Sequence, residues 1–189
     1  MVEAGDLRPT APRVAERAGV SVRSVFQHFD DLPTLHAAVT ERVAERLTAL
    51  VAPIDPASPL DDRVRAFVAN RVELLTAIDP FRRVAQVHGP FAPEIREAAA
   101  AGTRFLRRQV EQAFAPELVR LPAGERDRTL LALAAATSWS AWDVLRNELD
   151  AGEDEAAAAL AHTLRALLAA VDAPVGAAPA PAMGAEPAR

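Results

Sequence analysis

Cysteine, lysine and tyrosine are all missing from the 189 residues. Without cysteine there is no disulfide scaffold, no zinc-thiolate site and no thiol nucleophile, which fits a reducing cytoplasm. Without lysine, all 21 cations are arginines. Beside the alanine-rich text this reads as the codon usage of a GC-rich genome and carries no functional weight. Tyrosine is absent, and β-branched residues recur mostly at intervals of three or four, so strand signals are nearly lacking and an all-α architecture is expected. Long apolar runs are scarce too. The longest uncharged stretch before the C-terminal tail, Thr129 to Trp142, has 14 residues, short of the roughly 18 a spanning helix needs, and reads as a buried core helix. No basic segment precedes an apolar run at the N-terminus, so neither a secretory signal nor a membrane anchor is expected.

Catalytic signatures are lacking as well. His28, His36, His88 and His162 show no metal-ligand spacing, and there is no GxSxG elbow and no glycine-rich phosphate loop. Glu94 and Glu97 follow Pro93 in the first turn of a helix, where carboxylates complement the helix dipole. The chain is therefore read as a non-enzyme without metal or cofactor, of a length that gives one or two small domains.

What is present is a succession of helices with legible punctuation. Thr10 stands where it can cap a helix that tolerates Pro12 in its first turn and stops at Gly19. Ser21 caps a second helix, barely two turns long, running to about Phe29 with Val25 on its buried side. Asp31 and Pro33 open a third, whose Leu35, Val39, Val43, Leu47 and Leu50 recur every three or four residues until Pro53 and Pro56. Ser58-Pro59 begins a fourth, with Leu60, Val64, Phe67, Leu74 and Ile78 on one face, and Asp79-Pro80 starts a short successor. Pro93 opens another, with Ile95, Ala98, Gly102, Phe105, Val110 and Phe114 inward, closed by Pro116. Two more are expected over about 125–149 and 153–171, the last with Glu153, Asp154 and Glu155 in its first turn. The final stretch, 172–189, holds four prolines, two glycines and no apolar period, and reads as a disordered tail.

The two short helices broken at Gly19 have the layout of a helix-turn-helix. Stepping about 100° per residue from Val25, Phe29 and Val22 fall within roughly 60° of it, while Phe26, Arg23, Gln27 and Ser24 occupy the arc from about 100° to 260°. That outward arc can form hydrogen bonds. Arginine can make a bidentate contact to guanine and glutamine to adenine, each worth roughly 1–3 kcal/mol of discrimination, so Arg23 and Gln27 are the base-reading candidates. Residues 7–29 carry Arg8, Arg13, Arg17 and Arg23 against Glu16 alone, a local charge of +3 in a chain of −5. Binding depends on that local field rather than on the sum. Arg13 opposes the dipole of its own helix, a placement better tolerated where a phosphate approaches. These features also fit a charged surface on a small helical subdomain.

The run VAERAGVSVRSVFQHFDDLPTLHAAV resembles the DNA-binding domain of TetR-like (tetracycline-repressor-type) transcriptional regulators. Thr10, Val14, Ala15, Ala18, Gly19, Val20, Ser21, Phe26, His28, Phe29 and Leu35 stand at the family's motif positions. The resemblance implies a DNA-binding unit over 1–47, with Thr10, Arg13, Ser21, Val22, Arg23, Ser24, Phe26, Gln27 and His28 at a palindromic operator on double-stranded DNA. It also implies an effector-binding and dimerisation body over 48–171, release from DNA by a small-molecule effector, and repression rather than activation. Three departures stand out. Only Met1–Ala4 correspond to the family's first helix, so an upstream start is expected; Phe26 replaces a tyrosine; and Leu32 replaces a lysine or arginine.

Within the body, Arg71 interrupts an apolar seam between Phe67 and Leu74. It reads either as an internal ion pair or snorkelling cation, or as the anchor of an anionic or polar effector. His88 reads as a loop or cap residue, or as facing the same cavity. Phe67, Arg71, Leu74, His88, Phe105 and Trp139 are the effector-pocket candidates. Trp139 and Trp142 also fit core or dimer anchors. The stripe Leu160, Leu164, Leu167, Val171 is suited to sealing against a second helix, so Trp142, Leu145, Leu160, Leu164 and Leu167 are expected at a homodimer interface. The alternative reading is a dimeric helical ligand-binding or interaction protein that has lost DNA binding with its first helix.

Overall fold

The computed structural model describes residues 1–6, 9–48 and 51–172. Arg8 and the expected tail from 173 onward lie outside the described residues. All regular structure among the described residues is helical, without a strand: α1 (Ala11–Ala18), α2 (Val22–His28), α3 (Leu32–Thr48), α4 (Leu60–His88), α5 (Pro93–Ala113), α6 (Ala115–Leu118), α7 (Ala123–Ala136), α8 (Trp139–Asp143) and α9 (Glu153–Asp172). A 3-10 turn at Val2–Ala4 lies against α4, and a π turn, Val144–Glu148, follows α8.

The principal core is built by α4 and α9 with α5 to α8 around them. Val64, Phe67 and Leu75 meet Val110, Phe114, Leu133, Trp142, Leu160, Leu164 and Leu168 in one apolar cluster. The Phe67 and Phe114 rings sit 5.2 Å apart, tilted by 58°. A smaller set, Ala11, Ala15 and Val25, is buried where α1 meets α2. The third helix, α3, packs on α5 and α4 and joins this N-terminal unit to the body.

Several expected boundaries are displaced, each for a local reason. No new helix begins at Asp79-Pro80: α4 runs through Pro80 for 29 residues, about 43 Å at 1.5 Å per residue. The proline removes the hydrogen bond to the carbonyl of Thr76 and crowds it, at a residue that is solvent-exposed. Asp79 is held by Arg83 Nε at 2.9 Å and by Trp139 Nε1 at 3.0 Å, fixing the helix on both sides of the ring. The helix expected over 125–149 is instead broken. Thr137, 1% exposed, turns its hydroxyl back to the Leu133 carbonyl, and Ser138 leaves helical geometry to cap α8, accepting from the Ala141 amide at 3.2 Å. The helix from Pro93 ends at Ala113 rather than at Pro116, which falls in the first turn of α6.

Two cap expectations divide. Asp31 Oδ1 accepts from the Thr34 amide at 2.8 Å at the start of α3. Thr10 has the extended backbone of a cap, but its side chain makes no capping bond. Along α3 three of the expected apolar residues are not fully buried: Val39 is 40% exposed and Leu35 and Val43 are half-buried, while the buried side chain among those described is His36; Leu50 and the Leu47 side chain lie outside the description.

A buried ion pair locks the body. Arg63 on α4 and Glu117 on α6, both under a tenth exposed, are bidentate at 2.8 and 2.5 Å. Arg63 also donates to the carbonyls of Ser58 and Ala113 at 2.9 Å each. Burial pushes the Glu117 carboxyl up, but the hydrogen bonds and charge of Arg63 outweigh it, and the net result lies below the ordinary carboxylate range.

Candidate functional site

The first candidate surface is the outer side of α2. Gly19 ends α1 at φ +68°, the left-handed conformation open to glycine at no steric cost. Ser21 then caps α2 by accepting from the Ser24 amide at 3.0 Å. This turn points Val25 inward, 7% exposed, and leaves Val22 and Phe26 at 39% and 47%. Thr10, Arg13, Ser21, Arg23, Gln27 and His28 are exposed, and Ser24 is half-buried. All nine residues expected on this surface are thus reachable, and two of them are large apolar side chains facing water. Val20, also 47% exposed, extends the apolar strip across the turn. Arg13 does not stand alone: it pairs with Asp6 at 2.7 Å. The pair is lopsided, with the Arg13 side chain 58% exposed and that of Asp6 17%.

The residues expected in one effector pocket fall into three places. Phe67, Arg71 and Phe105 line a cavity of about 320 Å³, walled by α4, α5 and the segment around Val51–Ile54, with Thr48 of α3 also in its lining. Trp139 lines a separate, larger cleft of about 1180 Å³ between α3, α4, α5 and α7, whose wall Phe105 also shares. Leu74, 4% exposed, and His88, half-buried, line neither.

Arg71 is the unusual member of the set. It is 1% exposed, its guanidinium carbon lies 4.7 Å from the Phe67 ring centroid, and Nη2 donates to the Leu106 carbonyl at 2.8 Å. Nε and Nη1 are buried without a hydrogen-bond partner among the described residues. Burial alone pushes its pKa down to about 9, so it still carries its charge at pH 7. Among the described residues Arg71 forms no ion pair, the internal partner expected as one of its readings, and none of those lining its cavity is an Asp or Glu.

Sequence does not single out Arg82, Asn70, Gln109 or His36. Arg82 donates to the Ala99 carbonyl at 3.0 Å and lies 5.5 Å from the Trp139 ring centroid; burial lowers its pKa. Asn70 and Gln109 line the smaller cavity. The available signal was weak: Gln109 follows Phe105 by one turn of α5, and Asn70 adjoins Arg71. Burial, and then the charge of His88, push the His36 imidazole below its ordinary range.

The expected dimer residues are redirected inward. Trp142, Leu160 and Leu164 are 3%, 2% and 0% exposed within a single chain, and Leu145 and Leu167 pack half-buried against the same core. The buried stripe of α9 is Ala156, Leu160, Leu164, Leu168, a strict spacing of four that turns it onto α4 and α7. The apolar face read as a seam for a second subunit is thus occupied by the protomer itself.

Among the described residues no cluster of three or more His, Asp or Glu side chains is placed to hold a metal ion, and no helix is long and apolar enough to cross a membrane. No family model, curated protein or solved structure matches the chain.

Proposed function

We propose that the chain is a cytoplasmic DNA-binding transcriptional regulator, a repressor, that reads a palindromic operator as a homodimer through α2 and leaves it when a small molecule occupies the helical body. The observation that carries this reading is the outer face of α2. Arg23 and Gln27, two side chains suited to base edges, stand exposed beside the solvent-facing Val22 and Phe26, while Val25 alone anchors the helix inward. A short helix with so thin an anchor and so much outward chemistry is suited to a groove. Phe26 and Val22 would lie against thymine methyls or sugar edges, and Arg13 and Arg17 would supply phosphate contacts.

Coupling to an effector follows from α3. It leaves the N-terminal pair, packs along α5, and contributes Thr48 to the wall of the smaller cavity. A ligand that prefers one setting of this wall biases the direction in which α3 holds α2. In a symmetric pair, a change in the spacing of two reading helices from about 34–36 Å costs operator affinity.

The test is selection of bound duplexes from a random-sequence library, followed by fluorescence anisotropy on the enriched sequence across a salt series. A two-fold-related sequence is expected to emerge. Arg23→Ala should then cost about 5- to 100-fold, concentrated at one base position of each half-site. Enrichment of no sequence by a folded chain that still binds small molecules would favour the other reading, a helical ligand-binding protein that does not read DNA.

A further inference from the structure

We infer that the cavity beside Arg71 is a binding site for a small monocarboxylate with an apolar body. The inference rests on the ligand-binding half of the proposed function and is independent of its DNA-binding half.

The argument begins with charge. A guanidinium withdrawn from water needs either a counter-ion or a full set of acceptors. Arg71 has one carbonyl and one aromatic face, with the N–H groups of Nε and Nη1 unanswered among the described residues. The other arginine buried among the described residues, Arg63, has a carboxylate and two carbonyls. The contrast is local and chemical: two arginines of the same helix, both under a tenth exposed, differ in that one is satisfied by the protein and the other is left open, and the open one borders a cavity.

The lining then narrows the ligand. Phe67, Phe105, Ile54 and Val51 offer apolar surface, and Thr48, Asn70 and Gln109 offer neutral hydrogen-bonding groups. The Asn70 amide already donates to the Ala52 carbonyl at 3.0 Å, which fixes its orientation. With one buried cation and no acidic residue in the lining, a single negative charge neutralises the site, whereas a dianion leaves one charge uncompensated beside it. A volume of about 320 Å³ lies at the lower end of the range for small-molecule pockets. A planar carboxylate matches the flat guanidinium better than a compact spherical anion does. Because Nε and Nη1 are buried, seating the carboxylate requires the Arg71 head group to turn on its flexible stem toward the cavity.

The experiment is thermal unfolding and titration calorimetry of the full chain with three matched pairs of probes: benzoate and benzamide, phenylacetate and phenylacetamide, octanoate and octanamide. Acetate and inorganic phosphate serve as anions without an apolar body. At least one of the three carboxylates should raise the melting temperature, while its amide binds at least tenfold more weakly. Arg71→Met should abolish that preference while melting no lower than the wild type, since it removes an uncompensated buried charge. Gln109→Leu should retain the charge preference. Equal binding of acid and amide, a preference that survives in Arg71→Met, phosphate binding as tightly as the best carboxylate, or no binding by any carboxylate would each overturn the inference. Carboxylate binding by a chain that selects no DNA sequence would sink the regulator alone, and sequence-specific DNA binding without a carboxylate effect would sink this site alone.

Discussion

Replacing Glu117 by alanine removes the acid from a pair that is under a tenth exposed on both sides and leaves the Arg63 charge in place. Breaking a buried pair from one side costs about 3–5 kcal/mol, because the remaining charge loses its partner without regaining water. Arg63 keeps its two carbonyl acceptors, Ser58 and Ala113, so the lower end, about 3 kcal/mol, is expected. For a chain of this length each kcal/mol moves the melting temperature by about 2–4 °C, giving a fall of about 6–12 °C by circular dichroism of the helices. Glu117→Gln retains one acceptor and should lose less. The double variant Arg63→Met, Glu117→Leu, which removes both charges and keeps the volume, should lie within about 1 kcal/mol of the wild type. The pH dependence has a definite sign. The Glu117 carboxyl is held below its ordinary value, so its contribution is present above about pH 4.3 and is lost on acidification through its depressed folded-state pKa, narrowing the gap to Glu117→Gln. A single-alanine penalty below about 1 kcal/mol, or a double variant less stable than Glu117→Ala, would refute the reasoning. The outcome also bears on the smaller cavity, because Arg63 holds the carbonyl of Ala113, one of its lining residues.

No heavy atom lies within 4 Å of where a Cβ on Gly19 would stand, so a side chain there meets the backbone penalty of φ +68°. Gly19→Ala should cost about 1–2 kcal/mol in denaturant melts and Gly19→Asn less, with loss of DNA binding tracking the size of the penalty. His36 is buried with a lowered pKa, so the unfolded chain takes up a proton first as pH falls below about 6.5. Stability should therefore drop between pH 7.5 and 5.5, and His36→Gln should flatten that drop in melts recorded across the range.

The helical class was legible because caps and stops are local events: Gly19, Ser21, Asp31 and Pro93 mark ends that depend only on residues within one turn. The misplaced boundaries involve distant partners. Pro80 is carried inside α4 beside Asp79, which Trp139 holds from 60 residues away, and the counter-ion of Arg63 lies 54 residues downstream. Periodicity found the apolar residues of α9 but chose Leu167 over Leu168, a shift of about 100° around the helix. It also had no means of telling a seam filled by the chain's own α4 from one awaiting a second copy. For the effector candidates, sequence brought out Phe67, Arg71 and Phe105 as cavity residues but pooled them with Trp139. The packing of α3 and of the segment around Val51–Ile54 on the body determines where one cavity ends and the other begins.

The absence of cysteine permits a direct test of whether α2 lies in a groove. A single Gln27→Cys chain carrying a tethered iron–EDTA group cleaves the DNA sugars nearest that position. On the selected operator, two cleavage clusters centred one helical turn apart, about 10–10.5 base pairs, are expected. A control label at Val119, exposed at the end of α6 and so on the helical body rather than the N-terminal unit, should give none. Cleavage from Val119 with Gln27 silent would contradict the account.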